Sequence, residues 1–541
     1  MHVDLLIHDG LLMDGTGGRP DHADVAVLDG RIVAVGELAD VTADNLIDAA
    51  GKIVAPGFID LHTHSDMSLL LNPLGESKIL QGVTTEVTGN CGFSPFPIAA
   101  GHLELHVDHL ARIGDDPYPI TWRDLDGYAV TLERQGIAPN VVPLVGHGTV
   151  RCAVLGVDQR DATPAELEHM RQLVAESLEQ GAFGMSTGLT HIPSGYGSTA
   201  EVTELVRVVG RYDAMYATHS RATRSNEGFP AVQEAIDTCL AAGARLQFSH
   251  AAINEPDKWG RGSDLTSLFE KAEADGLDVK FDVYPYDASS SSLTQYLPSW
   301  VQEGGTEGMR RLLAEPAARA RAEVELAAGW MGGIPWFWDR VVLSRTGEGY
   351  EEHVGLSIEA AAASAGVPPQ TYTLDLCFAL GNAVQVVLFY RTEEDMTHFL
   401  SHRLSLVGSD GSAVPLDQRG EKPHPRHFGS FPRILGRYVR DTRLMPLETA
   451  IYKMTAGVAE RLQLTDRGTV AVGLAADLVV IDPTTVIDRA TFTDPAQAPL
   501  GIDTVIVNGQ VVVADGAVTG ALPGRVLRRR RGRVADRHAS D

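Results

Sequence analysis

Cysteine is scarce in this chain: four thiols (Cys91, Cys152, Cys239 and Cys377) are spread over 541 residues. Spacing that wide builds no disulfide framework, and a cytoplasmic protein is expected. Uncharged apolar runs are too short to span a bilayer. Met1-His2-Val3-Asp4 opens directly into a strand-like run, without the basic flank and apolar stretch of a signal peptide. Basic residues are outnumbered, 45 against 71 acidic ones, for a net charge of −26. That surplus argues against nucleic acid and anionic membrane as partners. The exception is Arg528-Arg529-Arg530-Arg531-Gly532-Arg533, expected to lie in a basic, disordered tail over residues 526–541. Oligomeric state leaves no sequence signal.

What is present is mostly alternation. Residues 1–55 hold short strand-like runs (Asp4–Ile7, Val25–Leu28, Arg31–Val35, Asn45–Asp48) separated by glycine turns. The same texture returns over 466–525, where Asn508-Gly509 between two β-branched runs signals a tight hairpin. Two β-rich ends most simply form one small β-sandwich. Between them, over 56–465, strands alternate with helices, which predicts a parallel sheet. Phe58–His64, Thr84–Thr88, Asn140–Val145, Ala182–Ser186, Met215–His219, Arg245–His250, Val279–Tyr284 and Leu404–Asp410 make eight candidate strands, the number a closed (β/α)8 barrel needs. Thr163-Pro164-Ala165-Glu166 reads as a capping box that starts a helix. Residues 285–403 are too many for one connection and are expected to form an insertion beside the strand ends, able to close over a site.

Chemistry gathers at one end of these strands. His62 and His64 stand two apart, so a strand turns both to one face, where they can share a metal ion. The second strand runs out into Gly89-Asn90-Cys91-Gly92, the fifth ends on His219, the sixth on His250 and the eighth on Asp410. Barrel enzymes place their sites at this end. Thiolate with imidazoles suits zinc: Cys91, His219 and His250 would leave a tetrahedral ion one open position. His62 and His64, sharing Cys91, would hold a second and weaker ion. Zinc brings the pKa of bound water to roughly 7, enough for attack on an amide carbonyl. Asp410 would carry the proton from water to the leaving nitrogen.

The finer motifs carry a resemblance. Gly57-Phe58-Ile59-Asp60 with His62 and His64, Thr88 to Gly92, Gly184 to Leu189, Ala217-Thr218-His219, Phe248-Ser249-His250, Asp282 to Tyr286, Gly408 to Gly411, and His424-Pro425-Arg426 through Gly436 occur in order. The chain resembles the amidohydrolase superfamily, and within it the N-acyl-D-amino-acid deacylases (D-aminoacylases). The resemblance implies Cys91, His219 and His250 as tight zinc ligands, and His62 and His64 as the weak second site. It implies Asp410 as catalytic acid/base, and Arg426 with Tyr284 as substrate-binding residues, Arg426 taking the free carboxylate. Two positions depart from the family pattern: His191, expected to contact substrate, stands where a carboxylate-binding tyrosine is usual, and Ala252 where a lysine is usual. The expected substrate is an N-acyl amino acid or a related amide. A cyclic-amide or carbamate hydrolase on the same scaffold is the alternative, and a non-catalytic metal-bound binding protein is a third reading.

Overall fold

A computed structural model describes residues 1–114, 116–222, 228–331, 333–418 and 420–529. The eight barrel strands are Phe58–Asp60, Val83–Thr88, Asn140–Pro143 continued by Val145–Gly146, Gly184–Gly188, Met215–His219, Arg245–Phe248, Val279–Val283 and Ser405–Val407. Each is parallel to the next. The ring closes where the eighth strand meets the first: the Leu61 amide donates to Val407 O (3.4 Å) and the Asp410 amide to His62 O (2.8 Å). Several strands are shorter than their sequence runs. The first stops at Asp60, so His62 and His64 lie beyond regular pairing, although Thr63 still bridges Gly411 in parallel.

Helices between the strands begin where local chemistry dictates. Thr163 accepts from the Glu166 amide while Glu166 reaches back to the Thr163 amide, which is the reciprocal cap expected there. Pro230–Ala242 starts on proline and ends at Gly243, whose φ of 65° is a left-handed conformation open to glycine at little cost.

Both chain ends build the β-sandwich. One sheet holds Arg31–Gly36, Asp24–Leu28, His2–His8 and Thr42–Asp48. The other interleaves N-terminal Ile53–Pro56 with C-terminal Leu478–Ile481, antiparallel, and extends through Ile502–Val507 and Gln510–Ala514. Leu5, Ile7, Val25, Val54, Leu478 and Ile506 pack between them. Asn508 and Gly509 both have positive φ (47° and 81°), as a two-residue I′ hairpin requires.

The excursion after the seventh strand contains a three-stranded antiparallel sheet, ordered Ser289–Ser292, Gln385–Leu388, Val341–Arg345, with its own apolar core. Residues 393–401 were expected within this insertion but belong to the barrel. Thr392 caps helix Glu393–Ser401, whose Met396, Phe399 and Leu400 join the main core ahead of the eighth strand. The tail also begins later than expected. Val526 bridges Val141, the Leu527 amide donates to Val141 O (2.8 Å), and Arg528 pairs with Asp126 (2.9 Å). Residues 526–529 are therefore docked under the barrel, held by backbone bonds their sequence does not advertise. The rest of the arginine run, from 530, lies outside the described residues.

Candidate active site

Strand ends and the loops just after them deliver the polar cluster. Cys91 follows the second strand in a loop fixed at both sides. The Gly89 amide donates to Asp66 Oδ1 (2.7 Å), and a Cβ on Gly89 would lie 2.1 Å from Leu144 O. Cys91, His250 and Asp410 have φ of 52°, 35° and 54°. Non-glycine residues seldom adopt that region, and backbone strain of this kind gathers at functional sites. All three side chains line one cavity.

Cys91 Sγ lies 3.3 Å from His62 Nε2, 3.4 Å from His250 Nε2 and 3.7 Å from His219 Nδ1. Asp410 Oδ1 is 3.5 Å from His62 Nε2 and 3.0 Å from His64 Nε2. Asp410 Oδ2 accepts from Arg426 Nη1 at 2.7 Å. All the expected residues therefore converge, but in a different partition. Ligand atoms of His62, Cys91, His250 and Asp410 lie within 4.8 Å of one another, and so do those of Cys91, His191 and His219. Cys91 belongs to both groups. His191, expected to contact substrate, sits among the candidate ligands, its ring 4.8 Å from that of His219.

The cluster's electrostatics favour a thiolate. Burial alone would push the Cys91 thiol up, but His62 and His250 outweigh it and hold the thiol well below its usual value. Burial also works against ionised Asp410, yet Arg426, His250 and His64 keep its carboxyl well below the carboxylate range. Soft sulfur among imidazoles is the donor set zinc takes. One further observation fits an ion here: the buried Nδ1 of His64 has no hydrogen-bond partner among the described residues.

Outer contacts fix these rings. Asp282 Oδ1 lies 3.1 Å from His62 Nδ1 and accepts from the His250 amide at 2.8 Å, while Gln247 donates to Oδ2 at 2.9 Å. Thr190 Oγ1 is 2.7 Å from His219 Nε2, which leaves Nδ1 facing the sulfur. Gln295, from the insertion, donates to the same Thr190 oxygen (3.1 Å). Tyr284 OH accepts from Arg426 Nη1 at 3.1 Å. Sequence reasoning gave Asp282, Thr190 and Gln295 no role. Only Asp282 had a readable signal, as a carboxylate near the end of a barrel strand. The cluster faces a cavity of about 550 Å³, which Trp330 and Tyr296 of the insertion also line.

A family model described as the amidohydrolase family matches residues 45–204 and 400–513. N-acyl-D-glutamate deacylase of Alcaligenes xylosoxydans xylosoxydans is 37% identical over 533 residues, 97% of each chain. The chain belongs to the amidohydrolase family. D-aminoacylase of the same organism is 36% identical over 97% of this amidohydrolase and 98% of its own length. The crystal structure of N-acyl-D-glutamate deacylase from Bordetella bronchiseptica, complexed with zinc and a phosphonate mimic of its tetrahedral intermediate, matches with a TM-score of 0.82. It is 34% identical and aligns over 98% of this chain and 100% of its own. A D-aminoacylase crystal structure matches with a TM-score of 0.81 at 35% identity, over 97% and 100% of the two chains.

Proposed function

We propose that this amidohydrolase is a zinc-dependent deacylase that cleaves the amide of an N-acyl-D-amino acid to a carboxylate and a free D-amino acid. The observation that carries the reading is the Cys91–histidine–Asp410 cluster at the floor of the cavity. Relatives named for this activity align over nearly the whole chain. Cys91, His219 and His250 would hold the tight ion and His62 with His64 the weak one, with His191 near enough to join the first. In D-aminoacylase one metal activates and a second attenuates. Zinc supplies Lewis acidity, lowering the pKa of a water to about 7 and polarising the amide carbonyl. Asp410 accepts the attacking water's proton and returns it to the nitrogen as the carbon–nitrogen bond breaks, because an amine leaves poorly unprotonated. Arg426 fixes Asp410 through its Nη1 contact and lends positive charge to the substrate's carboxylate. Residence in the cytoplasm belongs to the same reading, and all four cysteines are free and buried.

The test is zinc-loaded protein assayed against matched N-acetyl-D- and L-amino acids and against cyclic amides. Acyl release from the D series is expected. Asp410→Asn should lower turnover by about 100-fold or more while zinc stays bound near one equivalent. Ring opening without acyl release would replace this reading with the cyclic-amide one. Parental turnover in Asp410→Asn would remove Asp410 as proton carrier.

A further inference from the structure

The cavity holds a cation that the reaction scheme above leaves unused. Arg391 lies between the insertion strand Gln385–Leu388 and the Thr392 cap of the barrel helix, so both sides of it are anchored. Its Nε donates to Asn254 Oδ1 (3.1 Å) and its Nη1 to the Tyr284 hydroxyl. That hydroxyl also takes Arg426, and the two guanidinium carbons sit 4.9 Å (Arg391) and 5.0 Å (Arg426) from the Tyr284 ring centre. Two like charges thus share one phenol. Arg426 is paired with Asp410. Arg391 has no carboxylate partner among the described residues, and Nη2 has no hydrogen bond there, although its guanidinium lines the cavity with His250 and Asp410. A half-buried guanidinium without an anion is poorly compensated, and a planar fork open to a cavity is shaped for a carboxylate. Ala252 and Arg391 line a neighbouring pocket together.

We propose that Arg391 and Arg426 bracket Tyr284 as a two-armed carboxylate clamp, with Arg391 the arm that receives the free carboxylate of the acylated amino acid. The inference rests on the deacylase reading and deepens it. Arg426 is bound to the proton carrier, so an anion placed on it alone would crowd Asp410, whereas an anion shared with Arg391 stands off from that carboxylate.

The experiment compares parent, Arg391→Gln and Arg391→Lys, zinc-loaded, on the best N-acetyl-D-amino acid of the panel and on its primary carboxamide, which lacks the charge. Arg391→Gln should raise KM for the acid about 10- to 100-fold with a much smaller change in kcat. It should leave kcat/KM for the carboxamide within about twofold, and Arg391→Lys should recover part of the loss. Equal losses on both substrates, or none on the acid, overturn the clamp. If the parent hydrolyses no panel member, the deacylase reading fails, and calorimetric titration with the same N-acetyl-D-amino acids decides the clamp separately. Binding at least about tenfold weaker in Arg391→Gln supports it, while equal binding, or no binding by the parent, overturns it.

Discussion

Asp282 shows how one side chain can organise a centre without facing substrate. A single carboxylate oxygen meets the His62 ring and the His250 amide, so it fixes an imidazole and the backbone that aims a second one. Partners of this kind set the tautomer and orientation of a ligating histidine, and losing one typically costs 10- to 100-fold in metal affinity. Asp282→Asn should therefore weaken zinc binding about 10- to 100-fold in competition with a chromophoric chelator, with far-ultraviolet dichroism unchanged. Unaltered affinity would reduce Asp282 to a structural residue. The ligand types were legible in sequence because each follows a recognisable apolar strand. Their pairing was not, because it depends on the left-handed turns at Cys91, His250 and Asp410, which no local pattern announces for these residue types. Arg391 was invisible for another reason: it enters the cavity from the far end of an excursion of more than a hundred residues.

At the level of elements, a buried relay ties helix His147–Leu155 to helix Thr199–Arg211. His147 Nδ1 lies 2.7 Å from Ser194 Oγ and Nε2 2.9 Å from Glu201 Oε1, while Arg151 Nη1 reaches both Glu201 oxygens. The array looks like a serine triad, but Ser194 is fully buried, so it joins elements instead of meeting substrate. Burial would raise the Glu201 carboxyl, yet His147 and Arg151 bring it down from 4.5 to about 2. A carboxyl depressed in the folded state adds stability above its unfolded pKa, and that contribution is lost as pH falls through the folded value. Glu201→Gln should cost about 3 kcal/mol at neutral pH and flatten the decline in stability between about pH 4.5 and pH 2, followed by denaturant titration at each pH. A parental acid limb in the variant would count against the relay. Element boundaries were readable where capping chemistry marks them, as at Thr163 and Gly243. The helix Pro369–Leu380 offers no clean periodic contrast to read, because polar Thr373 is buried while apolar Phe378 is exposed.

Across the whole molecule, barrel, sandwich and chain terminus meet at Asn140. On the third barrel strand, its Nδ2 donates to Thr84 O (3.2 Å) and to Asp477 Oδ2 (3.1 Å). Its Oδ1 accepts from Asn508 Nδ2 (2.8 Å) and from the Arg525 amide (3.2 Å). Asp477 is bound in turn by Arg467 and by the Asn508 amide (2.6 Å). One amide thus joins residues hundreds of positions apart, which explains why two β-rich ends and a barrel can settle as one body with no covalent crosslink. Asn140→Ala would strand several of these groups in a dry interior, where each unmade bond costs about 1–3 kcal/mol. A loss of about 2–4 kcal/mol is expected, read as a lower urea midpoint. Tryptophan fluorescence should follow the barrel and insertion, because all six tryptophans lie between positions 122 and 338, while far-ultraviolet dichroism follows the sandwich as well. Both midpoints should fall if Asn140 couples the two bodies. A midpoint at the parental value by either probe would show that the sandwich and barrel are held together elsewhere.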